Sequence, residues 1–369
     1  MTRFAAAVLF LLSCAAAHAQ FQRYGYRLLE APPQFSDIFP QGLNNRGEVA
    51  GTAFPLDPYT GRRQAAWWDQ TGRIHILPMA DTDVDAYAAD IADDGTVVGQ
   101  TVRRPFEYGR PTVWRNGQQQ FLPESPGEGG IIDINAAGTA FVGTTRRSRD
   151  GLFIGSYWSN GQVQRLDGLP GYYSPIWAIN NVGQYVGMAN FQRGDHPVTY
   201  FGSGGRFELF EPPGLKVVRL WDINDHGLMA GAVLDGGRLR GLVSDGKQHR
   251  LLEPLERDTS TFPKYINNDG VVIGESYADA WYHVVVYPPG ESRPRHLAGL
   301  VNADSANFTY AIALNEAGQI LTAGAVNGVF GHYVLTPEPA ARGVPEPTAG
   351  VMLTAIGLCL GGQAARRCR

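Results

Sequence analysis

A length of 369 residues, with 46 Gly, 24 Pro and 44% apolar side chains, allows two ordinary domains or one large all-β domain. The many glycines and prolines favour numerous turns and short strands over long helices. The formal net charge of −4 argues against nucleic acid as a partner, because nucleic-acid binding depends on clustered positive charge.

The first 19 residues have the organisation of a secretory signal peptide. Arg3 supplies the positive charge, an apolar run follows it, and Ala17 and Ala19 form a small-x-small cleavage site. We therefore predict export, cleavage by signal peptidase, and a mature chain that starts at Gln20. A lipoprotein signal ending at Cys14 is the alternative interpretation, although its lipobox is a poor match.

One short phrase returns seven times along the chain. It starts with an Ile or Leu, here named the anchor residue, which is followed by Asn in six of the seven copies and by Gly four positions after the anchor. Successive copies of this Gly are 43 to 48 residues apart. A regular period near 45 indicates a repeat architecture. The anchor residues are Leu43, Ile91, Ile134, Ile179, Ile223, Ile266 and Leu314.

Each repeat carries the signals of four short strands. The first strand ends at the anchor residue, and the Asn and Gly after it predict a tight turn, because Asn caps its own backbone and Gly accepts a positive φ. A second, apolar strand then ends in another Gly. A hairpin follows, with Asn-Gly, Asp-Gly or Gly-Gly between aromatic or β-branched runs. Four antiparallel strands in such a repeat predict one blade of a β-propeller. The glycines expected to end second strands are Gly51, Gly99, Gly187, Gly231 and Gly274.

The two ends of the repeat region complement each other. The seventh unit stops after residues 331–335 and has no fourth strand, whereas residues 24–29 form an orphan strand near the mature N-terminus. Docking this strand onto the last blade would close the ring and remove its open edges. We therefore predict an all-β, seven-bladed β-propeller over residues 20–337, followed by a linker over residues 338–343.

The repeated Ile-Asn-x-x-Gly-x-x-x-Gly phrases and the Trp- or Tyr-containing hairpins resemble the HAF-repeat family of extracellular proteins. The His-Ala-Phe triplet itself is degraded, for example to Gln64-Ala65-Ala66-Trp67. The resemblance spans most of the mature chain. It implies an extracellular repeat protein and no general enzymatic role.

The first strand of each unit is expected to face the central channel. Asp90, Asp133 and Asp222 come directly before an anchor residue, and Trp177 and Trp221 come two positions before one. Together they could form a polar and aromatic mouth that binds sugar, because indoles stack on the apolar ring face and carboxylates accept hydroxyl donors. The alternative is structural: the Trp side chains pack between blades and the Asp side chains cap local turns. Paired carboxylates could also support glycoside chemistry.

The repeat region has no nucleophile elbow, phosphate loop, dinucleotide fingerprint or His cluster, so we expect no cofactor. Residues 81–85, Asp-Thr-Asp-Val-Asp, look like the start of a calcium loop. However, Ala86 and Ala92 stand where such a loop needs Gly and a carboxylate. We therefore expect no metal ion and interpret this segment as an exposed acidic loop.

The last 26 residues have three parts: a Pro-Glu-Pro motif, a short apolar run over residues 349–362 and a basic end. The apolar run is shorter than the roughly 20 residues that span a bilayer comfortably. In this order the parts resemble the PEP-CTERM sorting signal of Gram-negative bacteria. The resemblance implies processing of residues 344–369 by a membrane protease of the exosortase class, and release or attachment at the cell surface. The residues that match are Val344, Pro345, Glu346, Pro347, Arg366 and Arg367.

Three functions from different classes fit these observations. The first is an exported, surface-associated and non-catalytic propeller that binds exopolysaccharide or a surface protein. The second is a secreted propeller enzyme, a lyase or glycosidase, that acts on polysaccharide. The third is a structural spacer without a specific ligand.

Overall fold

The computed structural model describes residues 22–57, 61–104, 107–122, 128–147, 149–169, 173–190, 198–278 and 281–339. Within them, Arg23–Pro337 form one compact unit. The predicted signal peptide at residues 1–19, with its cleavage site, and the predicted sorting segment at residues 344–369 lie outside the described residues.

The prediction of a seven-bladed, all-β propeller is confirmed: seven antiparallel sheets follow one another along the chain, each built from the inner strand outwards. Blades one to three are β2 (Phe35–Leu43), β3 (Val49–Pro55), β4 (Gln64–Trp68) and β5 (Ile74–Ile76); β6 (Asp85–Ile91), β7 (Val97–Val102), β8 (Arg110–Arg115) and β9 (Gln118–Phe121); and β10 (Gly129–Ile134), β11 (Ala140–Arg146), β12 (Phe153–Ser159) and β13 (Gln162–Arg165), with the short β14 (Tyr173–Ser174) added to the third sheet.

The remaining four blades continue the same order. They are β15 (Ile176–Ile179), β16 (Gln184–Ala189), β17 (Val198–Ser203) and β18 (Arg206–Leu209); β19 (Lys216–Ile223), β20 (Met229–Asp235), β21 (Arg238–Ser244) and β22 (His249–Leu252); β23 (Ser260–Ile266), β24 (Val272–Ala278), β25 (Trp281–Tyr287) and β26 (Arg295–His296); and β27 (Ala306–Leu314), β28 (Ile320–Val326) and β29 (Val329–Pro337), completed by β1 (Tyr24–Leu28).

The ring is closed by the N-terminal strand, as predicted. Strand β1 pairs antiparallel with β29, from Tyr24 opposite Pro337 to Leu28 opposite Tyr333. The last blade therefore takes its outer strand from one end of the repeat region and its three other strands from the opposite end. Chain closure of this kind removes the open edge that β29 would otherwise expose.

Two local features depart from the four-strand prediction. Strand β14 pairs in parallel with β12 of the third blade, and its Tyr173 also forms an isolated antiparallel bridge with Asn190 of the fourth. Pro175 stands between β14 and β15, and its missing N–H cannot continue the ladder. The second feature is a 3-10 helix at Leu297–Leu300, after the two-residue strand β26.

The hydrophobic core is divided into seven clusters, each lying between two neighbouring blades. Trp68, Trp114 and Trp158, from the third strands of blades one to three, are buried in these clusters. The indole N–H groups of Trp68 and Trp114 each donate to a backbone carbonyl oxygen at 2.8 Å. The aromatic positions of the repeated hairpins are therefore mainly core positions.

The repeated Asn has two structural tasks. In the first blade, Asn44 Oδ1 accepts the N–H groups of Arg46 and Glu48 at 3.0 and 2.9 Å, which closes the predicted turn. Its Nδ2 donates to the carbonyl oxygen of Ala92 in the second blade at 3.0 Å. Asn315 donates in the same way to the carbonyl oxygen of Asn44 at 2.8 Å, across the seam between blades seven and one. The Asn turns thus link blades as well as strands.

Each inner strand carries a β-bulge two residues before its anchor residue. The glycines expected to end the second strands instead lie inside them, opposite the bulge. A Cβ on Gly99 would lie 2.0 Å from the carbonyl oxygen of Tyr87, and one on Gly274 would lie 2.2 Å from that of Phe262. Only glycine permits this approach of the bulged strand. The bulge turns two successive residues, one and two positions before the anchor, towards the channel.

Candidate binding site in the central channel

The inner strands enclose a cavity of about 440 Å³ along the propeller axis. Its wall includes the residues one and two positions before the anchors, together with the Asn turns. All five predicted site residues line it: Asp90, Asp133, Trp177, Trp221 and Asp222. The sequence prediction of which side chains face the channel therefore agrees with the geometry, whereas ligand binding by them stays a prediction.

The structural alternative predicts that the three aspartates cap local turns. In the structure they also accept hydrogen bonds across blade boundaries. Each carboxylate receives the N–H of the anchor residue in the following blade, and Asp222 also receives the N–H of its own anchor Ile223 at 2.8 Å. These carboxylates therefore connect adjacent inner strands. The three inter-blade bonds run from Ile134 N to Asp90 Oδ2 (3.2 Å), from Ile179 N to Asp133 Oδ2 (2.7 Å) and from Ile266 N to Asp222 Oδ2 (2.8 Å).

Burial raises the pKa of all three carboxyl groups, because a charged carboxylate is poorly solvated inside the channel. The pKa of Asp222 rises to about 6. That of Asp133 rises well above its usual value, first through burial and then through the charge of Asp90 and a hydrogen bond to it. Burial thus favours the protonated form of both Asp90 and Asp133, and the two carboxyl groups contact each other. Glycosidase carboxyl pairs stand about 5–9.5 Å apart, so two directly hydrogen-bonded carboxyl groups do not match that arrangement.

The two tryptophans lie outside the inter-blade core clusters, but each contacts the following blade, as the structural alternative supposed: Trp177 contacts Arg219, and the ring of Trp221 stands edge-to-face with that of Phe262 at 6.5 Å. Trp177 and Trp221 are half-buried and flank Arg219, which also lines the cavity. The guanidinium carbon of Arg219 lies 4.2 Å from the ring centroid of Trp177 and 5.3 Å from that of Trp221. These are cation–π distances, and they hold a positive charge against two indoles on the channel wall.

Arg219 was missed by the sequence reasoning, although a signal was present. It lies four positions before its anchor, on the same side of the inner strand as the bulge residue. The equivalent position is aromatic in four other blades: Phe39, Tyr87, Phe262 and Tyr310. Phe39 and Tyr310 are more than half exposed, at 54% and 55%. Aligning the inner strands from one to four positions before the anchors, instead of only one and two, would have identified this position.

The two ends of the channel differ in chemistry. At the end where the inner strands begin, here named the aromatic end, a groove of about 590 Å³ includes Tyr108, Phe153, Tyr173 and Trp177. The rings of Tyr108 and Phe153 lie 4.6 Å apart. At the opposite end, the Asn turns present carboxylates that are engaged by amides of neighbouring turns. Examples are Asp93 with Asn45, Asp225 with Asn181, and Glu316 with Asn268.

The suspected calcium loop is not an exposed acidic loop, because its central carboxylate is buried. Asp83 has a fully buried side chain that forms a salt bridge with Arg110 at 2.6 Å and accepts the amide of Gln119 at 3.0 Å. Asp85 forms a salt bridge with Arg63 at 3.0 Å. Across the described part of the chain, no three His, Cys, Asp or Glu side chains converge as a metal site would require.

No protein-family model and no curated protein sequence matches this chain. Solved structures do, at the level of the fold. A prolyl endopeptidase matches with a TM-score of 0.59 and 12% identity, over 83% of this chain and 51% of that one. A puromycin hydrolase matches with a TM-score of 0.57 and 10% identity, over 81% and 52%. YCF48, solved with a D1 peptide, matches with a TM-score of 0.51 and 13% identity, over 87% and 98%.

The chain spans about half the length of the prolyl endopeptidase and puromycin hydrolase chains and nearly all of YCF48. At these identities the likeness concerns the fold alone, and it agrees with the seven-bladed propeller. Over the described ranges, the chain contains no α-helix with the length and hydrophobicity needed to cross a membrane.

Proposed function

We propose that this protein is an exported, surface-associated and non-catalytic interaction module that binds polysaccharide at the aromatic end of its channel. The observation that carries the proposal is the pair of indoles on the channel wall, outside every core cluster and next to an aromatic groove. Aromatic faces exposed in a concave site suit the apolar faces of sugar rings. The neighbouring polar groups can accept or donate hydrogen bonds to hydroxyls.

The groove supports binding of a chain rather than of a single sugar. Trp177 lines both the central cavity and the aromatic groove, so the two form one continuous surface. Tyr173, Phe153, Tyr108 and Tyr87 continue this surface across the blades towards the first one. A polymer could therefore lie across the aromatic end with several rings in contact.

The proposal of a non-catalytic role rests on how the carboxyl groups are used. Asp90, Asp133 and Asp222 already accept backbone N–H groups that join neighbouring blades, and Asp90 and Asp133 bond to each other. A catalytic acid and base on either side of a glycosidic bond need more separation and free lone pairs. Export and surface location rest on the terminal segments that resemble a signal peptide and a PEP-CTERM signal.

Binding of the full chain, purified in mild detergent, to immobilised polysaccharides tests the proposal. The panel includes the exopolysaccharide of the producing organism. Substituting Trp177→Ala or Trp221→Ala should weaken binding about tenfold, corresponding to ~1.4 kcal/mol of lost stacking and burial. Trp281→Ala is the matched control, because this indole is 70% exposed and does not line the channel cavity.

The alternatives give different results in the same assay. Release of shorter products from the bound polysaccharide would establish the enzyme. No binding to any polysaccharide would leave the spacer, and binding of a peptide alone would make the module a protein receptor, as in the peptide complex of YCF48.

A further inference from the structure

We infer that the channel site selects an acidic polysaccharide and that Arg219 pairs with the carboxylate of a uronic acid unit. This inference rests on the proposed function and adds the charge of the ligand. It starts from a cation whose bonding is incomplete in the protein alone.

The guanidinium group of Arg219 makes no hydrogen bond and no salt bridge to any described residue. Its Nε is buried without a partner, and so is the indole Nε1 of the neighbouring Trp177. Burial also lowers the pKa of Arg219. Buried donors without acceptors cost free energy, and these two belong to residues of the channel wall, where an acceptor of a bound ligand could pair them.

The other cation of the channel wall, Lys264, differs from Arg219 in having a carboxylate partner. Lys264, at the bulge position of the sixth blade, forms a 2.7 Å salt bridge with Glu275 and is thereby neutralised. Arg219 has two indoles in place of a carboxylate. The indoles fix the plane of the guanidinium by cation–π contact and leave its charge available to a group in the channel.

The surroundings favour a carboxylate on a sugar ring. A guanidinium binds a planar carboxylate through two parallel hydrogen bonds. The adjacent indoles and the aromatic groove offer faces for the ring that carries the carboxylate and for the next units of the chain. Asp90, Asp133 and Asp222 line the same cavity, and their carboxyl groups offer an anion no positive charge. The ligand carboxylate is thus expected to pair with Arg219.

A matched pair of ligands isolates the charge. Oligomers of galacturonate and of mannuronate are compared with their methyl esters, which keep the sugar faces and lose the negative charge. We expect the wild-type chain to bind the free acids about 10- to 100-fold more tightly than the esters, as charge-assisted hydrogen bonds imply. The preference should decrease with added salt.

Variants of the full chain then assign the preference to one residue. Arg219→Gln should bind acid and ester equally, and Arg219→Lys should retain part of the preference because it keeps the charge without the planar fork. Arg293→Gln is the control, since its side chain is 83% exposed and outside the channel wall. Thermal melting of each variant verifies folding, and Arg219→Lys tests the charge if Arg219→Gln does not fold.

Two groups of outcomes would overturn the inference. The inference about Arg219 is refuted if the wild type binds acid and ester equally, or if the acid preference survives Arg219→Gln. In either case the proposed function still stands if Trp177→Ala weakens sugar binding. Binding of no sugar, or of an acidic peptide only, refutes both.

Discussion

The buried carboxyl groups of the channel should make the propeller less stable as the pH rises. A carboxyl whose pKa is raised in the folded state binds its proton more tightly there than in the unfolded chain. The stability that such a group contributes is complete at a pH below its pKa in the unfolded chain. It is lost as the pH rises through its pKa in the folded protein. For Asp222 the rise from 3.8 to about 6 corresponds to ~3 kcal/mol, at about 1.4 kcal/mol per pH unit. Asp90 and Asp133 change in the same direction.

Substituting Asp133→Asn tests this linkage with nearly unchanged geometry. An uncharged Asn side chain can accept the N–H of Ile179 through Oδ1, as Asp133 does, and can donate to Asp90 through Nδ2. The variant should therefore match the wild type at about pH 4 and exceed its stability at about pH 7.5. Asp133→Ala loses both bonds and should be less stable at both pH values.

Urea unfolding followed by tryptophan fluorescence, repeated across this pH range, gives the free energy of unfolding for each chain. The useful quantity is the difference between variant and wild type at each pH, because other titrating groups cancel in it. His296 and His332 are such groups: burial lowers the pKa of each, which adds stability as the pH rises towards 6.5. A difference that is constant with pH, or an Asn variant as unstable as the Ala variant at about pH 7.5, would refute the reasoning.

Three other predictions concern the structure of the ring. Gly274→Ala should lower the free energy of unfolding by about 1–3 kcal/mol, because its Cβ would lie 2.2 Å from a backbone oxygen, whereas Gly299→Ala, with open space around it, should be neutral; urea unfolding measures both. Asn315→Ala should cost about 1 kcal/mol more than Asn135→Ala in the same assay, because only the first loses a side-chain bond to another blade. Calcium should leave the melting temperature unchanged, because the Asp83 carboxylate is buried in an ion pair, and a rise with calcium would contradict this.

The architecture could be predicted from sequence because every blade uses the same turns between its strands. An Asn turn joins two strands, a Gly-containing turn joins two more, and seven copies at a constant period leave little choice of fold. The closure of the ring could also be predicted, since the last unit lacks a fourth strand and residues 24–29 form a strand that belongs to no other unit. The strand β14 could not be foreseen, because its parallel pairing depends on where the chain passes between two blades.

The candidate site was only partly predictable for a related reason. The side chains one and two positions before the anchors were correctly placed in the channel, but their partners depend on the bulge, whose register a single strand does not display. Once that register is known, Gly99 and the equivalent glycines locate the bulge in sequence. Each marks the point in the second strand where the bulged inner strand comes closest. The stack of Arg219 between two indoles joins two blades and emerges only from their packing.

The bulge also explains how one ring can combine stability with a variable site. Repeated inter-blade bonds are concentrated at the Asn turns and at the carboxyl positions just before the anchors, where the blades must match their neighbours. Two and four positions before the anchors, no such repeated bond is needed, and the side chains range from Gly130 to Arg219 and Trp221. Substitution there changes the lining of the aromatic end without breaking the ring, so ligand selectivity is expected to reside at those positions and stability at the others.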